Sequence, residues 1–376
     1  MRLHNFRLEN FRNYSLAEVK FNPNANLLLG QNGQGKTNLI EAIYFALTGK
    51  PFRYVVTEDL KKTSKEIDYF KIEAAVETEI STYQTTVSYQ RGSLSRTINE
   101  KRASTTKLNE LFHLVLFTPD SLNVIKGGAS ERRDLIDDIW LASDNTAAET
   151  LKAYNRCLKS KNKLLRDALS GVLKPTETRD ILLSINASFL PLAVDVVLGR
   201  TAAIKAILPL VKSVAKALFN DPIVDISVDY VVSKKSAIDW SKNQVYDALK
   251  LRLEELKEAE LHSGSSLVGP HKNEINFYLN QQDARFFGSQ GQQRAIILAF
   301  KVAQIELYRQ KKGQLPLMLL DDVFSELDSE KRGQLLEILL EIPAQIFLTS
   351  TDLGTEKLFA HKEMTVFRVE KGNVNF

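Results

Sequence analysis

The stretch from Ala25 to Leu47 constrains the fold of this chain more than any other part of its sequence. An apolar run over residues 25–29 stops at a glycine, as a buried strand would, and apolar residues at positions 39, 40, 43 and 47 then fit one face of a helix. The loop between them, which we call the phosphate loop, fits the pattern G-x-x-x-x-G-K-[ST] and consists of Gly30, Gln31, Asn32, Gly33, Gln34, Gly35, Lys36 and Thr37.

The phosphate loop has the chemistry that a triphosphate requires. Glycines allow successive backbone N–H groups to turn toward one anion, and the N-terminus of the following helix adds partial positive charge. Lys36 would reach the β- and γ-phosphates, and the Thr37 hydroxyl would coordinate Mg²⁺. A glycine-rich turn with an incidental Lys-Thr pair is the alternative, but the flanking strand and helix patterns favour nucleoside triphosphate binding.

Composition bounds the other possibilities. With 376 residues, of which 44% are hydrophobic, the chain can bury a large core and is long enough for about two domains. Its net charge of +4 permits an anionic partner without requiring one. The single cysteine, Cys157, excludes an intrachain disulfide framework, and the five histidines show no metal-ligand spacing with it. We therefore expect a reducing, cytoplasmic compartment and no structural zinc.

Neither a targeting segment nor a membrane segment is evident. The N-terminus is charged from Arg2 onward and lacks the apolar core of a secretory signal. Because no run of 18 apolar residues occurs in the chain, we expect neither secretion nor a membrane span, and we expect no membrane among its partners.

Alternating and continuous apolar patterns predict further strands. Residues 1–22 read as half-buried strands, residues 69–99 as antiparallel strands, and residues 114–117 as a buried strand. Arg12 interrupts the first of these patterns and is a candidate for contact with the bound nucleotide. An exposed strand arginine is the alternative.

The pattern of residues 130–262 predicts a mainly helical insert, with breaks at residues 171–175, at Pro191, at Pro209 and at residues 220–222.

One segment of the insert carries a basic stripe, in which successive cations are four, three, four and three residues apart and share one helix face: Lys152, Arg156, Lys159, Lys163 and Arg166. No acidic residue lies between residues 152 and 166. Aligned cations repel one another unless something anionic lies opposite. A contact with DNA phosphates or an acidic partner is one interpretation, and a solvated or internally paired face is the other.

A strong helix pattern begins just after Ser289. Ser289 and Gln292 fit the S-x-x-Q capping box, in which two backbone N–H groups are satisfied locally and no further role is implied. The same polar helix start, together with Gly291, could present a hydroxyl and backbone N–H groups to the γ-phosphate held by another molecule. The pattern alone supports both interpretations.

Asp321 and Asp322 follow an apolar strand at residues 315–320. Carboxylates at the C-terminal end of such a strand can hold Mg²⁺ and can orient or deprotonate an attacking water. An Asp-Asp pair alone is weak evidence, but its place after an apolar strand, far downstream of the phosphate loop, makes it a candidate magnesium and catalytic pair.

In their order along the chain, these motifs resemble the SMC-related ABC-type ATPase family, and within it the bacterial recombination mediators that lack long coiled-coil arms. The specific points of likeness are Asn10-Phe-Arg-Asn-Tyr14, Ser130-Glu-Arg-Arg133, Gly269-Pro-His271, Ser289-Gln-Gly-Gln-Gln-Arg294 and Leu320-Asp-Asp-Val-Phe-Ser-Glu-Leu-Asp328. The resemblance implies an α/β fold: an ABC-type P-loop ATPase head with a mixed sheet, formed by residues 1–129 and 263–376, plus a mainly helical arm at residues 130–262 without a long coiled coil.

The resemblance also implies ATP and Mg²⁺ as cofactors and gives the motif residues their roles. Lys36 and Thr37 would bind phosphate and Mg²⁺, Asp321 would support the Mg²⁺, and Asp322 takes the position of the catalytic carboxylate.

By the same resemblance, Ser289 and Asp328 would complete the nucleotide site of a second subunit, together with the Gly291 of the polar helix start. Two departures from the wider family pattern concern hydrolysis. A glutamine is not evident around residues 118–120, and a serine or threonine near Ser350 replaces the switch histidine. We therefore expect slow hydrolysis.

Finally, the resemblance implies a function in recombinational repair and replication maintenance. An ATP-driven homodimer would bind gaps or junctions between single- and double-stranded DNA and would assist recombinase loading with the mediator RecR, with weak, DNA-stimulated ATP hydrolysis as a switch. The alternatives are the nucleotide-binding subunit of an ABC transporter, whose partner is a membrane protein, and an ATP-gated scaffold without DNA affinity.

Overall fold

The computed structural model describes residues 1–53, 55–63, 67–326, 329–351 and 363–375. The chain divides into two compact units, of which unit 1 comprises Met1–Leu122 and Tyr308–Phe376, and unit 2 comprises Asn123–Leu307. The strands β1 to β16 are, in chain order, Arg2–Phe11, Tyr14–Lys20, Ala25–Leu29, Tyr69–Glu77, Thr82–Gln90, Ser93–Ile98, Lys101–Arg102, Leu114–Phe117, Ile226–Val232, Lys235–Ser236, Glu274–Leu279, Gln282–Asp283, Leu317–Leu320, Ile346–Ser350, Met364–Glu370 and Asn373–Asn375. The helices α1 to α10 are Lys36–Thr48, Thr105–Leu111, Ala129–Ser143, Ala147–Leu169, Pro175–Leu218, Lys242–Glu255, Lys257–Ser263, Ala284–Phe287, Gln290–Lys312 and Ser329–Glu341.

Unit 1 contains two six-stranded sheets. The first is antiparallel, in the order β2-β1-β4-β5-β6-β7, and includes the strands predicted at residues 1–22 and 69–99. The second has the order β16-β15-β3-β14-β13-β8 and is parallel except for the pair β15–β16. The predicted mixed sheet is therefore confirmed.

The three central strands of the second sheet, β3, β14 and β13, are buried on both faces. Every residue of β3, β13 and β14 is buried, which matches their continuous apolar sequences. Because β14 lies between β3 and β13 in the sheet, the C-terminal ends of all three strands meet at one edge. The phosphate loop and the Asp321-Asp322 pair thus begin at the same sheet edge, one strand apart.

Helix α1 lies in the core of unit 1. Ile43 and Phe45 of α1 share one cluster of buried residues with Phe70 of the first sheet and with Leu319 and Phe347 of the second. A helix that is apolar on most of its faces must be covered on most of its faces. The position of its N-terminus, and hence of the phosphate loop, is fixed by this packing.

Unit 2 combines helices with a small antiparallel sheet of order β10-β9-β11-β12. Strand β9, which alternates between buried and partly exposed residues, was not anticipated within the mainly helical insert. It pairs with β11 in a register that runs from Glu274 opposite Val231 to Leu279 opposite Ile226. Because of this pairing, the compact unit continues past residue 262, where the predicted arm ends, to Leu307.

Helix α5 runs without interruption through Pro191 and Pro209, so the breaks predicted at these two residues are wrong. A proline inside a helix loses a backbone hydrogen bond and typically costs about 3 kcal/mol. Fully buried residues along α5, among them Val194, Ile204 and Val211, show that tertiary packing overrides this local preference. The predicted ends of helices near residues 171–175 and 220–222 are confirmed.

By length and composition alone, the segment Thr176–Leu218 of α5 could also cross a membrane, and 39% of its most apolar window is buried. A single helix of this kind is weak evidence for a membrane span, since the core helix of a globular unit has the same composition. The fully buried residues Val194, Ile204 and Val211 show that α5 packs as a core helix within unit 2.

Candidate nucleotide-binding site

The phosphate loop joins β3 to α1, as predicted, and two N-terminal side chains hold it in place. Asn13 Nδ2 donates a 2.8 Å hydrogen bond to the carbonyl of Gln34. The hydroxyl of Tyr14, a fully buried residue, donates a 3.0 Å hydrogen bond to the carbonyl of Gly35. These bonds satisfy the carbonyl groups of two successive loop residues and hold that part of the loop in place.

Glycine is required at position 35 for two reasons. Its φ of +119° lies in a region that L side chains rarely adopt, and a Cβ there would lie 2.6 Å from Asn13 Nδ2. The turn after β15 adds a further brace, because the backbone N–H of Gly372 donates a 3.1 Å hydrogen bond to the carbonyl of Gln34.

Lys36 lies over the loop that precedes it. Its Nζ donates hydrogen bonds of 2.5 Å to the carbonyl of Gly30 and 2.9 Å to that of Gln31. Burial lowers the pKa of Lys36, and the nearby carboxylates of Asp322 and Asp321 oppose this shift. The ammonium group therefore lies among the groups that a bound triphosphate would meet.

Thr37 and Asp321 are in direct contact. The Thr37 hydroxyl donates a 2.9 Å hydrogen bond to Asp321 Oδ1, and Asp321 is only 4% exposed. Burial raises the pKa of Asp321, while hydrogen bonds from Thr37 and Thr349 oppose this shift.

A hydroxyl and a carboxylate are hard oxygen donors of the kind that Mg²⁺ prefers, so the chemistry of this pair fits the ion. Among the described residues, no group of three or more His, Cys, Asp or Glu side chains could hold a metal by itself. Sites that share Mg²⁺ with substrate phosphates typically supply only one or two protein ligands.

Asp322 adopts an uncommon backbone conformation. Its φ of 51° is left-handed, which is infrequent for residues other than glycine and is concentrated at functional sites. Its backbone N–H donates a 2.8 Å hydrogen bond to the Thr349 hydroxyl. The structure thus holds two adjacent carboxylates in different conformations at the end of β13.

Arg12 faces helix α1. Its side chain is 18% exposed, and Nε and Nη2 donate hydrogen bonds of 3.0 and 3.3 Å to the carboxylate of Glu41, which is fully buried. It is therefore a partly buried, paired residue rather than the exposed strand arginine considered as an alternative. Its contact with nucleotide stays a prediction.

The second half of the predicted site begins at Ser289 in unit 2. The backbone N–H of Gln292 donates a 3.2 Å hydrogen bond to Ser289 Oγ, and Gln292 Oε1 accepts a 2.8 Å hydrogen bond from the Ser289 N–H. The capping box is confirmed. Because the cap uses Ser289 Oγ only as an acceptor, its O–H proton can still be donated to another group.

Gln293, which sequence reasoning did not single out, fixes the turn before Ser289. Its side chain is 5% exposed, and Nε2 donates hydrogen bonds of 2.8 and 3.1 Å to the carbonyls of Ala284 and Gly288. A Cβ at Gly291 would meet no atom within 4 Å. The Gln293 side chain therefore holds the turn before α9, and the space next to Gly291 is open. Asp328, the last residue predicted for this half, lies outside the described residues.

The basic stripe lies on α4, and all five of its side chains are exposed on one face, as predicted. Within the part of the chain that the structure describes, none of the five forms an ion pair. Lys161, on the opposite face of α4, is fully buried and pairs with Glu260 at 2.8 Å. The internally paired alternative therefore fails for the stripe, whereas contact with DNA stays a prediction.

Comparison with known proteins identifies the family. A model described as the RecF/RecN/SMC N terminal domain matches residues 2–375. A DNA replication and repair protein RecF of Staphylococcus aureus (strain JH9) is 32% identical over 393 residues, with 100% of both chains covered. This chain belongs to the RecF family. A second RecF, of Staphylococcus carnosus (strain TM300), is 31% identical over 386 residues, again with full coverage of both chains.

Solved structures agree on the fold. The recombination mediator RecF with ATP, described as part of the RecFOR pathway, matches with a TM-score of 0.86 and 26% identity over 100% of this chain and 97% of that one. The same mediator with ATPrS matches with a TM-score of 0.85 and 26% identity over 99% and 97% of the two chains. An SMC head bound to part of ScpA has a TM-score of 0.58 at 16% identity and supports the fold alone, over 100% of this chain and 96% of that one. The predicted ABC-type α/β ATPase fold is confirmed, and RecF family membership separates the chain from transporter subunits.

In this member of the RecF family, the side chains that brace the phosphate loop and the aspartate pair come from distant parts of the sequence. In the sequence, Asn13 and Tyr14 stand out only as part of a motif of family likeness, and Thr349 only as one of the serine and threonine residues near Ser350. The local signal is that β14 ends in polar residues, at the sheet edge that also bears Asp321.

Proposed function

We propose that this chain is an ATP-binding protein of DNA replication and repair that hydrolyses ATP slowly. The observation that carries the proposal is the 2.9 Å contact between Thr37 and Asp321, which joins the phosphate loop to the aspartate pair. Family membership and the similarity to ATP-bound RecF structures support it.

Each site residue would have a separate task. Lys36 would leave its loop carbonyls to bind the β- and γ-phosphates, while Thr37 and Asp321 would hold Mg²⁺. When bound, Mg²⁺ neutralises charge on the phosphate oxygens. Asp322 would orient and deprotonate the attacking water. Slow turnover is expected because no glutamine is evident around residues 118–120 and a serine or threonine near Ser350 replaces the switch histidine.

ATP would join two copies of the chain. Ser289, Gly291 and Asp328 of one copy would complete the nucleotide site of the other, with Arg12 near the nucleotide of its own copy. Shifting an equilibrium from 1:99 to 99:1 needs roughly 5.5 kcal/mol, so each of two nucleotides would contribute about half. Two charge-assisted hydrogen bonds at ~1.5–3 kcal/mol each are sufficient. Hydrolysis removes the γ-phosphate, and the dimer would then loosen.

The same cycle would control DNA binding. The exposed basic stripe on α4 offers cations for phosphate contacts, and the relatives' names place them in DNA replication and repair. We propose gapped DNA as the substrate, RecR as a partner, DNA-stimulated ATPase activity and a cytoplasmic location.

The test is binding to fluorescently labelled gapped DNA, measured by anisotropy with and without Mg-ATP. We expect at least tenfold tighter binding with ATP, loss of this effect in Lys36→Ala, and its retention in Lys20→Ala, which removes an exposed lysine from β2. Nucleotide-independent DNA binding that is retained in Lys36→Ala would contradict the proposal. Absence of DNA binding under all conditions would favour an ATP-gated scaffold.

A further inference from the structure

Thr349 is a buried polar residue on the strand that lies between the phosphate-loop strand and the strand of the aspartate pair. It is 1% exposed and is the fourth residue of β14, Ile346–Ser350. In the sheet, β14 is flanked by β3, which leads into the phosphate loop, and by β13, which leads into the aspartate pair. Its side chain is therefore placed to reach either neighbour.

The Thr349 hydroxyl contacts both aspartates at once. It accepts a 2.8 Å hydrogen bond from the backbone N–H of Asp322 and donates a 3.1 Å hydrogen bond to Asp321 Oδ1. The same oxygen of Asp321 accepts the 2.9 Å hydrogen bond from Thr37. A hydroxyl has one proton and two lone pairs, so donation and acceptance occur together.

These two hydrogen bonds restrain the backbone of Asp322 and the rotation of the Asp321 carboxylate, which would otherwise be free to change. Asp322 has a left-handed φ of 51°, a backbone conformation that residues with a Cβ disfavour. The hydrogen bond to Thr349 holds the N–H of Asp322 in that conformation. The bond to Oδ1 fixes the rotation of the Asp321 carboxylate toward Thr37. A valine at position 349 would have nearly the same shape but neither bond.

We infer that Thr349 is the positioning residue of the aspartate pair, which sets the direction of the Asp321 carboxylate and the backbone conformation of Asp322. This inference rests on the proposed roles of that pair in holding Mg²⁺ and activating water. In this role Thr349 acts through the two aspartates that it contacts.

The experiment compares Thr349→Val with Thr349→Ser, which keeps the hydroxyl. The readouts are the affinity for a fluorescent ATP analogue in EDTA, its affinity across a Mg²⁺ titration, and single-turnover hydrolysis. We expect the valine variant to bind nucleotide in EDTA like the wild type, to need at least fivefold more Mg²⁺ for half-maximal binding, and to hydrolyse ATP at least tenfold more slowly. The serine variant should lie within about twofold of the wild type in all three readouts.

Thr85→Val is the matched control. Thr85 is also a buried threonine of unit 1, at 1% exposure, but among the described residues its hydroxyl has no hydrogen-bond partner. The same substitution there removes no bond, so neither the Mg²⁺ titration nor hydrolysis should change. Should Thr349→Val not fold, Thr349→Cys takes its place, because a thiol is a weak donor and acceptor and should shift both readouts in the same direction.

A folded Thr349→Val variant with wild-type Mg²⁺ dependence and wild-type hydrolysis would overturn this inference alone. A wild-type chain whose nucleotide affinity does not respond to Mg²⁺ would overturn both the inference and the proposed function. A serine variant as impaired as the valine variant would also overturn it, because the effect would then arise from packing and not from the hydroxyl.

Discussion

The hydroxyl of Thr37 donates a 2.9 Å hydrogen bond to the carboxylate of Asp321, although the two residues lie 284 positions apart in the sequence. The contact exists because β3, β14 and β13 are parallel neighbours, so that the loops after β3 and β13 start at the same sheet edge. One strand separates them, and it contributes Thr349 to the same cluster. The sheet topology thus assembles the site from three segments of the chain.

Replacing Asp321 should separate Mg²⁺ binding from nucleotide binding. Asp321→Asn keeps an oxygen that accepts the Thr37 hydrogen bond but removes the negative charge that attracts the cation. We expect the gain in nucleotide affinity on adding Mg²⁺ to fall at least tenfold, or about 1.4 kcal/mol. Affinity in EDTA should stay equal or rise, since a carboxylate near the triphosphate no longer repels it.

Isothermal titration of ATP with Mg²⁺ and with EDTA measures both quantities. Asp322→Asn is the matched variant, because it removes the neighbouring charge. It should keep the Mg²⁺ response, slow single-turnover hydrolysis and trap the ATP-bound dimer. Equal Mg²⁺ responses in wild-type protein and Asp321→Asn would refute the metal role of Asp321.

Gly35→Ala tests how the phosphate loop is held. The alanine Cβ would be strained at a φ of +119° and would also collide with Asn13 Nδ2 and approach the Tyr14 hydroxyl within 3.0 Å. Gly92→Ala is the control, since φ there is +78° and a Cβ would meet no atom within 4 Å. Strain alone costs about 1–2 kcal/mol in the control.

We expect Gly35→Ala to lower the free energy of unfolding by more than Gly92→Ala and to reduce ATP affinity at least tenfold, whereas Gly92→Ala should leave ATP affinity unchanged. Denaturant unfolding and nucleotide titration measure these effects. Similar losses of stability in the two variants, with ATP affinity intact in both, would show that Asn13 and Tyr14 do not fix the loop.

Local patterns in the sequence were sufficient to predict the phosphate loop, the capping box at Ser289 and the exposed face of the basic stripe. In each case the decisive interactions join residues within a few positions of each other: backbone to side chain at a helix start, or side chains at helical spacing. The predicted ABC-type fold depended on the order of such motifs along the chain, and it is confirmed.

The remaining features depend on contacts between residues that are distant in the sequence, and a local sequence pattern does not reveal such contacts. Pro191 and Pro209 carry a strong local preference for helix breaks, and only the burial of α5 within unit 2 explains why the helix continues. Likewise, Tyr14 and Thr349 look like ordinary strand residues until the neighbouring loop and strand are in place. Their roles depend on sheet topology.

Ser289→Arg should block ATP-driven dimerisation without preventing ATP binding to the single chain. An arginine at the start of α9 removes the hydroxyl proposed to meet the partner's γ-phosphate and adds bulk at the same place. Ser241→Arg is a closely matched control, since Ser241 and Gln244 form the same kind of capping box at the start of α6. Loss of a cap costs about 1 kcal/mol in either variant.

Sedimentation velocity with Mg-ATP distinguishes the two variants. Wild-type protein and Ser241→Arg should sediment as dimers, and Ser289→Arg should stay a single chain at concentrations at least tenfold higher. ATP titration of the single chain should give the same affinity for all three proteins. An ATP-induced dimer of Ser289→Arg would refute the proposed interface.

His271 should make unit 2 less stable in mild acid. Its Nδ1 lies 2.6 Å from the Tyr154 hydroxyl and its Nε2 lies 3.1 Å from the carbonyl of Ser266, and burial lowers its pKa to about 4. A pKa below the unfolded value of 6.5 means that the unfolded chain binds the proton more tightly. The stability contributed by neutral His271 is therefore complete above pH 6.5 and is lost as the pH falls toward about 4, by about 3 kcal/mol.

Denaturant unfolding between pH 7.5 and 4.5 tests this, with His271→Gln compared against His262→Gln. Glutamine can accept from Tyr154 and donate to Ser266 but does not titrate. His262 is an exposed histidine of the same unit, so His262→Gln is the control for the loss of a histidine side chain. Because burial also lowers the pKa of His113 in unit 1 to about 4, His271→Gln should reduce the acid destabilisation without abolishing it. The same loss of stability in both variants would contradict the assignment.

The basic stripe on α4 predicts a specific change in the salt dependence of DNA binding. Each phosphate that a cation neutralises releases counterions, so on duplex DNA the slope of log affinity against log salt becomes shallower by about 0.9 for every phosphate no longer neutralised. The triple variant Lys159→Gln, Lys163→Gln and Arg166→Gln should therefore bind gapped DNA more weakly and with a shallower slope.

The matched control neutralises three exposed cations elsewhere in unit 2: Lys234→Gln, Lys235→Gln and Lys250→Gln. Its affinity should fall modestly through the lower net charge, but its slope should stay that of the wild type. Equal slopes for all three proteins would leave the stripe as a solvated face, and equal reductions in both variants would indicate general electrostatic attraction without a defined binding surface.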